Sequence, residues 1–277
     1  MKFTKMQGIG NDYVYINCFE EKVEVPSQLS VRLSNRHFGI GSDGIILIEP
    51  SDVADCRMDI YNADGSQAMM CGNGIRCVGK YLYEREMAKK EVLRIDTMSG
   101  IKTLHLDVKN NKVISVTVDM GKPNFIAKEI PAVFPKNEII DEPVMVDSTE
   151  YRITCVSMGN PHCVIFVEDV TKIEIEKIGP KFECNKIFPN RANVEFIQIL
   201  NKNEVNMRVW ERGSGETWAC GTGACAAAAA CAVNKKTGRQ VKVHLKGGDL
   251  DIDWNQKTGG IFMKGPAEFV FDGTVEI

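Results

Sequence analysis

Two short stretches carry the residues best suited to chemistry: Met70-Cys71-Gly72-Asn73-Gly74 and Ala219-Cys220-Gly221-Thr222-Gly223. Each has the form Cys-Gly-x-Gly ahead of a run that favours helix, so each thiol is expected just before a helix N-terminus. There the unsatisfied N–H groups and the macrodipole stabilise an anion. A thiolate is the reactive form of cysteine, and its pKa is expected to fall in such a place. The glycines leave the amides uncovered, which suits a substrate carboxylate. A carbon acid held between one thiolate and one thiol loses a proton on one face and gains one on the other, which inverts its stereocentre. The α-proton of an amino acid is far less acidic than a thiol, so the helix amides must stabilise the developing carbanion in a site that excludes water. Cysteine is often no more than a small buried hydrophobe, a reading that fits Cys225 and Cys231. Repetition of the glycine turn singles out Cys71 and Cys220 as the candidate acid/base pair.

The second turn is the first displaced by 220 − 71 = 149 residues, and the same offset pairs Gly10-Asn11 with Gly159-Asn160, Tyr61-Asn62 with Trp210-Glu211, Gln67 with Glu216 and Pro26 with Ile175. A constant offset without net insertion is what an internal duplication produces. Two copies of one unit imply a pseudo-two-fold arrangement, which carries the two cysteine turns to opposite sides of a cleft.

The elements that must position the turns follow the same plan. Two β-rich runs over 3–19 precede a helix over 27–37 with Ser27 as N-cap and Gly39 as stop. Strands over 45–49 and 57–61 lead to the first cysteine turn, a helix over 73–89 and strands near 93–97, 102–108 and 114–118. The stretch 121–149, with Pro123, Pro131, Pro135 and Pro143, is the expected crossing between copies. In the second copy, strands over 152–158 and 163–167 flank a Gly159-Asn160-Pro161-His162 loop. A helix over 172–183, strands over 194–200 and 205–210 and the second turn come next. Every residue from Ala224 to Val233 is alanine, cysteine or valine, so that helix is expected to be buried on all sides. Four short strands complete an α+β arrangement, each half a curved, mostly antiparallel β-sheet or barrel around a central helix.

Other signals are read against their plainer meanings. His162 beside Asn160 is a candidate for tuning a thiol. Glu211-Arg212 falls opposite Asn62-Ala63 in the repeat, which favours substrate contact over a surface ion pair. Asn11, Asn62, Asn73, Asn160 and Asn193 together describe a polar site for amino and carboxylate groups. The cysteine spacings lack the tight pairs of structural zinc, so no metal is expected. Gly221 to Ala226 fits a loose dinucleotide fingerprint but has no strand running into its glycines, the nearest candidate ending at Trp210. No cofactor is therefore expected. A formal net charge of -3 and a pI of about 5.9 give no basic footprint for nucleic acid. The opening residues lack a signal peptide's apolar core, and the most apolar run is far shorter than the roughly 18 residues of a membrane span. Ten cysteines in that setting fit reduced thiols and a cytoplasmic protein.

The strings GIGNDYVYIN, YNADGS…MCGNGIRC, SMGNPH and ERGSGETWACGTGACAAAAA resemble the diaminopimelate epimerases, pyridoxal-independent enzymes of lysine and peptidoglycan-precursor synthesis. The resemblance implies interconversion of LL- and meso-diaminopimelate by Cys71 and Cys220, with His162 and Glu211 supporting catalysis. It implies substrate binding by Asn11, Asn62, Gly72, Asn73, Asn160, Asn193, Glu211, Arg212, Gly221 and Thr222. It also implies two similar α+β domains, 1–119 with a returning final strand 266–277, and 120–265, in a homodimer with Phe271 at its interface. One departure stands out: the family commonly has a substrate-contacting glutamine where Gly44 stands, so that contact is expected to be lost, or taken over by water or a neighbour such as Asp43. Two alternatives are a proline or hydroxyproline racemase-like enzyme on the same fold and a non-enzymatic two-lobed amino-acid binding protein.

Overall fold

A computed structural model describes residues 1–277. It divides into two compact units, Met1–Asp119 with Lys264–Ile277, and Met120–Met263. The first contains β1 (Lys2–Gly8), β2 (Asn11–Asn17), α1 (Pro26–Ser34), β3 (Gly44–Glu49), β4 (Cys56–Asn62), β5 (Gln67–Ala68), α2 (Gly72–Glu84), β6 (Val92–Asp96), β7 (Lys102–Lys109) and β8 (Lys112–Asp119). The second contains β9 (Glu142–Val146), β10 (Thr149–Ser157), β11 (Pro161–Phe166), α3 (Ile175–Glu183), β12 (Asn193–Ile199), β13 (Glu204–Glu211), β14 (Gly215–Thr217), α4 (Gly221–Val233), β15 (Gln240–Leu245) and β16 (Gly248–Trp254). After β17 (Ile261–Gly265), β18 (Glu268–Thr274) pairs antiparallel with β1 in the first unit.

Within the first unit β1 and β2 are antiparallel, β2 and β3 parallel, β3 and β4 antiparallel, β4 and β6 parallel, and β6, β7 and β8 antiparallel in sequence. The second unit repeats that order with β10 to β13, β15 and β16. Element starts keep the offset: 175 − 26, 193 − 44 and 221 − 72 are each 149.

Each sheet wraps one helix. Helix α2 is buried from Gly72 to Tyr83 and packs on β1, β2, β7 and β8. Gly79 brings it close, since a Cβ there would lie 2.8 Å from Leu104. Helix α4 contacts β10 to β13, β15 and β16, with every residue from Gly223 to Cys231 buried. Side chains no larger than cysteine let strands approach it from all sides, so its apolar circumference is satisfied. No helix is long and apolar enough to cross a membrane.

Several boundaries differ from those expected. Ser27 is no cap: α1 starts at Pro26 after Val25, and the Ser27 hydroxyl donates to the Gly65 carbonyl at 2.7 Å. Helix α2 stops at Glu84 because Glu86 takes a left-handed φ of 61°, and the Met87 N–H reaches back to the Leu82 carbonyl at 3.0 Å. Lys235 does the same after α4, with φ 57° and a Lys236 N–H to Cys231 carbonyl bond of 2.9 Å. This is the closure that usually recruits glycine, and its charged residues conceal it. The stretch 121–149 is no bare crossing. It supplies β9, and Ile130, Ala132, Ile139, Val144 and Val146 enter the second unit's core. Residues 170–172 form a separate 3-10 turn before α3, whose interior Gly179 lies under the Trp210 ring. Pro161 and His162 open β11 rather than lying in a loop, as proline tolerates the first position of a strand.

Replacing Glu86 with glycine removes the left-handed penalty without disturbing a buried contact. Urea unfolding is expected to show a gain of about 1 kcal/mol for the first unit, and a loss would contradict the closure geometry.

Candidate active site

In the first unit Cys71 caps α2. Its sulfur accepts the Gly74 N–H at 3.3 Å, and its S–H donates to Asn11 Oδ1 at 3.4 Å. Asn11 is held in turn by Asp43, whose Oδ2 accepts from Asn11 Nδ2 at 2.7 Å and from the Asp12 N–H at 3.1 Å. Burial raises the Asp43 pKa, helped by the Asp12 charge and opposed by the Asn11 bond and Arg36. Tyr13, buried on β2, faces the same thiol. Burial and the nearby Cys71 and Asp43 charges push its phenol well above 10.0, so it stays protonated. Asn73 is buried, and its Oδ1 accepts from Arg76 Nη1 at 2.9 Å. The same guanidinium donates to the Gly72 carbonyl at 3.1 Å and the Pro266 carbonyl at 3.0 Å. Asn62, at the end of β4, donates to the Ser66 hydroxyl at 3.0 Å.

Gly44 pairs with Asn62, and a Cβ there would lie 2.2 Å from the Tyr61 carbonyl oxygen and 2.9 Å from the Tyr13 ring. Close backbone packing therefore explains glycine at this position. Asp43 spends its carboxylate on Asn11, Asp12 and Arg36.

In the second unit Cys220 occupies the N-cap position of α4, without a side-chain cap bond, and is buried. Its thiol lies beside the Glu211 carboxylate, and Thr222 Oγ1 is 3.7 Å away. Thr217 donates its hydroxyl to Glu211 Oε1. Burial raises the Glu211 pKa, opposed by the Thr217 and Cys220 bonds and the His162 charge. Asn160 donates to Thr222 Oγ1 at 3.4 Å, and its Oδ1 lies 3.0 Å from His162 Nε2. Asn193 is buried, donating to the Pro161 carbonyl at 3.1 Å and accepting the Arg212 N–H at 3.0 Å. The Arg212 side chain is exposed and donates to the Asn190 carbonyl at 3.1 Å.

The expectation that helix amides depress both thiols fails at Cys220. Burial and the charges of Glu211 and Glu195 raise its pKa well above 9.0, outweighing the Gly223 amide and the Thr222 hydroxyl. The helix effect is a fraction of a charge, whereas desolvation and two carboxylates act together. Cys220 therefore stands as a thiol beside a carboxylate able to accept its proton.

The first unit thus gathers Cys71, Asn11, Gly72 and Asn73, with Asn62 one strand pairing from Gly44. The second gathers Cys220, Gly221, Thr222, Asn160, His162 and Glu211, with Asn193 and Arg212 alongside. Phe271 lies on β18, half exposed, with its ring against Phe3 at 5.8 Å. Sequence reasoning missed Tyr13, Arg76 and Glu195. The offset held a signal for the first, since 162 − 149 = 13 places Tyr13 where the second copy has His162. It also missed β14, whose three residues fold back antiparallel on β13. A hairpin strand is not the strand a dinucleotide fingerprint requires.

The fold is shared with other solved proteins. A phenazine biosynthesis protein of the PhzF family from Bacillus anthracis superposes with a TM-score of 0.74 at 19% identity, covering 100% of this chain and 99% of the other. A probable proline racemase from Agrobacterium radiobacter gives 0.70 at 13% identity, covering 100% and 93%. The class is therefore that of the racemase- and PhzF-like folds. Within it, the sequence matches the family Diaminopimelate epimerase over residues 3–126 and 154–270. The diaminopimelate epimerase of Agathobacter rectalis is 56% identical over the full length of both chains. The chain belongs to the diaminopimelate epimerase family, and with it to the isomerases.

Replacing Glu211 with glutamine removes a negative charge beside Cys220, which lowers the thiol's pKa. Alkylation of Cys220, followed by peptide mass spectrometry, is expected to be slow at pH 9 in the parent and faster in the variant. An unchanged rate would separate Glu211 from the thiol's ionisation.

Proposed function

We propose that this chain is a diaminopimelate epimerase, interconverting LL- and meso-2,6-diaminopimelate without a cofactor in lysine and peptidoglycan-precursor synthesis. The observation that carries the reading is the recurrence of a cysteine N-cap on a Cys-Gly-x-Gly turn, at matching places in two units, in a chain of that family. The reaction needs one thiol for each face of the α-carbon. One sulfur takes the α-proton as the C–H bond breaks, and the electron pair spreads onto the carboxylate. The other thiol then delivers its proton to the opposite face. Cys71 and Cys220 fill these roles, and they exchange them for the reverse reaction.

The surroundings divide the remaining work. Glu211 and His162 bear on Cys220, and the amides of Gly72-Asn73 and Gly221-Thr222 receive the carboxylate as charge develops on it. Asn11, Asn62, Asn160 and Asn193 hold the polar groups, and Arg212, exposed with donors to spare, pairs with the distal carboxylate. The two units stand as the family's two domains, descended from one duplicated segment. The protein acts on a small molecule in the cytoplasm as a homodimer. Half-exposed Phe271 and Val270 on β18 are its proposed contact with the second copy.

Incubation with LL-diaminopimelate in deuterium oxide under reducing conditions, followed by NMR, tests the reading directly. Deuterium is expected at one stereocentre as the meso isomer appears, and alanine at Cys71 or Cys220 is expected to abolish the conversion. Exchange of proline instead would move the chain to the racemases, and silence with both would leave a binding protein. Arg212→Ala is expected to cut kcat/KM by roughly 10- to 100-fold, and an unchanged value would remove Arg212 from the distal end.

A further inference from the structure

Strand register places His162 opposite Asn193, and Glu195 opposite Val209, so His162, Asn193, Glu195 and Glu211 share one face of the second unit's sheet. Glu195 is wholly buried there, with Oε1 at 2.7 Å from His162 Nδ1 and Oε2 lacking any hydrogen-bond partner. A buried carboxylate with an unsatisfied oxygen is costly, and packing alone does not call for one. In the first unit the equivalent residue is Ile46 (195 − 149 = 46), whose Cδ1 lies 2.5 Å from the Cβ position of Gly74. In the second, Glu195 Oε1 lies 2.8 Å from the Cβ position of Gly223. The same niche under the cysteine turn thus takes a hydrophobe in one copy and an ionisable group in the other.

The hydrogen bonds say what the group does. Asn160 donates through Nδ2 to Thr222, so its Oδ1 faces His162 Nε2, and that nitrogen must carry a proton. The other nitrogen faces a carboxylate oxygen, so a second proton lies between them. That proton is shared between the ring and Glu195 Oε1, so the carboxyl occupies Nδ1 and leaves Nε2 as the nitrogen that faces Asn160. The geometry points to Glu195 as a positioning residue: it occupies His162 Nδ1, so that Nε2–H fixes the Asn160 carboxamide and, through Thr222, the polar surroundings of Cys220. Its catalytic consequence rests on the epimerase reading, while its effect on the ring does not.

The test is nitrogen NMR of protein labelled at its four histidines, with the His162 signals assigned by their loss in His162→Asn, beside epimerase kinetics. In the parent His162 Nε2 is expected to carry a directly bonded proton. Glu195→Gln is expected to leave Nε2–H in place with Nδ1 accepting from the new amide, and to keep kcat/KM within about tenfold. Glu195→Ile, the residue of the first copy, is expected to give mixed tautomers and a fall of roughly 10- to 100-fold. Absence of Nε2–H in the parent, or its loss in Glu195→Gln, would overturn the proposal even if the isoleucine variant did not fold. A folded isoleucine variant with parental kcat/KM would overturn it too. Absence of epimerase activity in the parent would sink the functional reading alone, leaving the spectra to judge Glu195.

Discussion

A thiol at the first turn of a buried helix is pulled two ways. The helix amides favour its anion, while the apolar surroundings that hold the helix in place disfavour any charge. The resolution differs in the two units. At Cys71 the neighbours are a carboxamide, a neutral phenol and the Gly74 N–H, with the Arg76 guanidinium beside the same helix turn. At Cys220 they are two carboxylates and the Thr222 hydroxyl. Folding gives both sulfurs the same backbone address, and the side chains around them then differ in charge.

Much of this architecture is legible in the sequence because the repeat is nearly free of insertions. The offset from Cys71 to Cys220 marks where α1 and α3, and α2 and α4, begin, and the alanine run from Ala224 announces a helix that must be enclosed. The failures have identifiable causes. Helix α2 ends at a left-handed glutamate where pattern reading waits for glycine. His162 reads as loop because proline and asparagine precede it, yet it opens a strand whose pairing with β12 is invisible to local pattern. Residues 121–149 look like a linker because their buried residues are spaced irregularly among prolines, although their partners lie later in the chain.

The candidate site is legible by residue type more than by wiring. Cysteines, asparagines and the Glu211-Arg212 pair stand out by kind and repeat position. Arg76 and Glu195 do not, since a single charged residue in an apolar run carries no message until the fold shows what it touches. Tyr13 is a milder case, in which a residue that reads as ordinary β-former proves to be the counterpart of a histidine.

Helix α4 has a mechanical consequence of its own. Its alanines have almost no rotamer freedom to lose on folding and the highest intrinsic helix propensity, and no long side chain at their surface can yield by changing conformation. A shaft of that kind neither bends readily nor cushions displacement. Any shift of the surrounding strands is passed along it undamped, so the sulfur at its tip is aimed by the sheet as a whole.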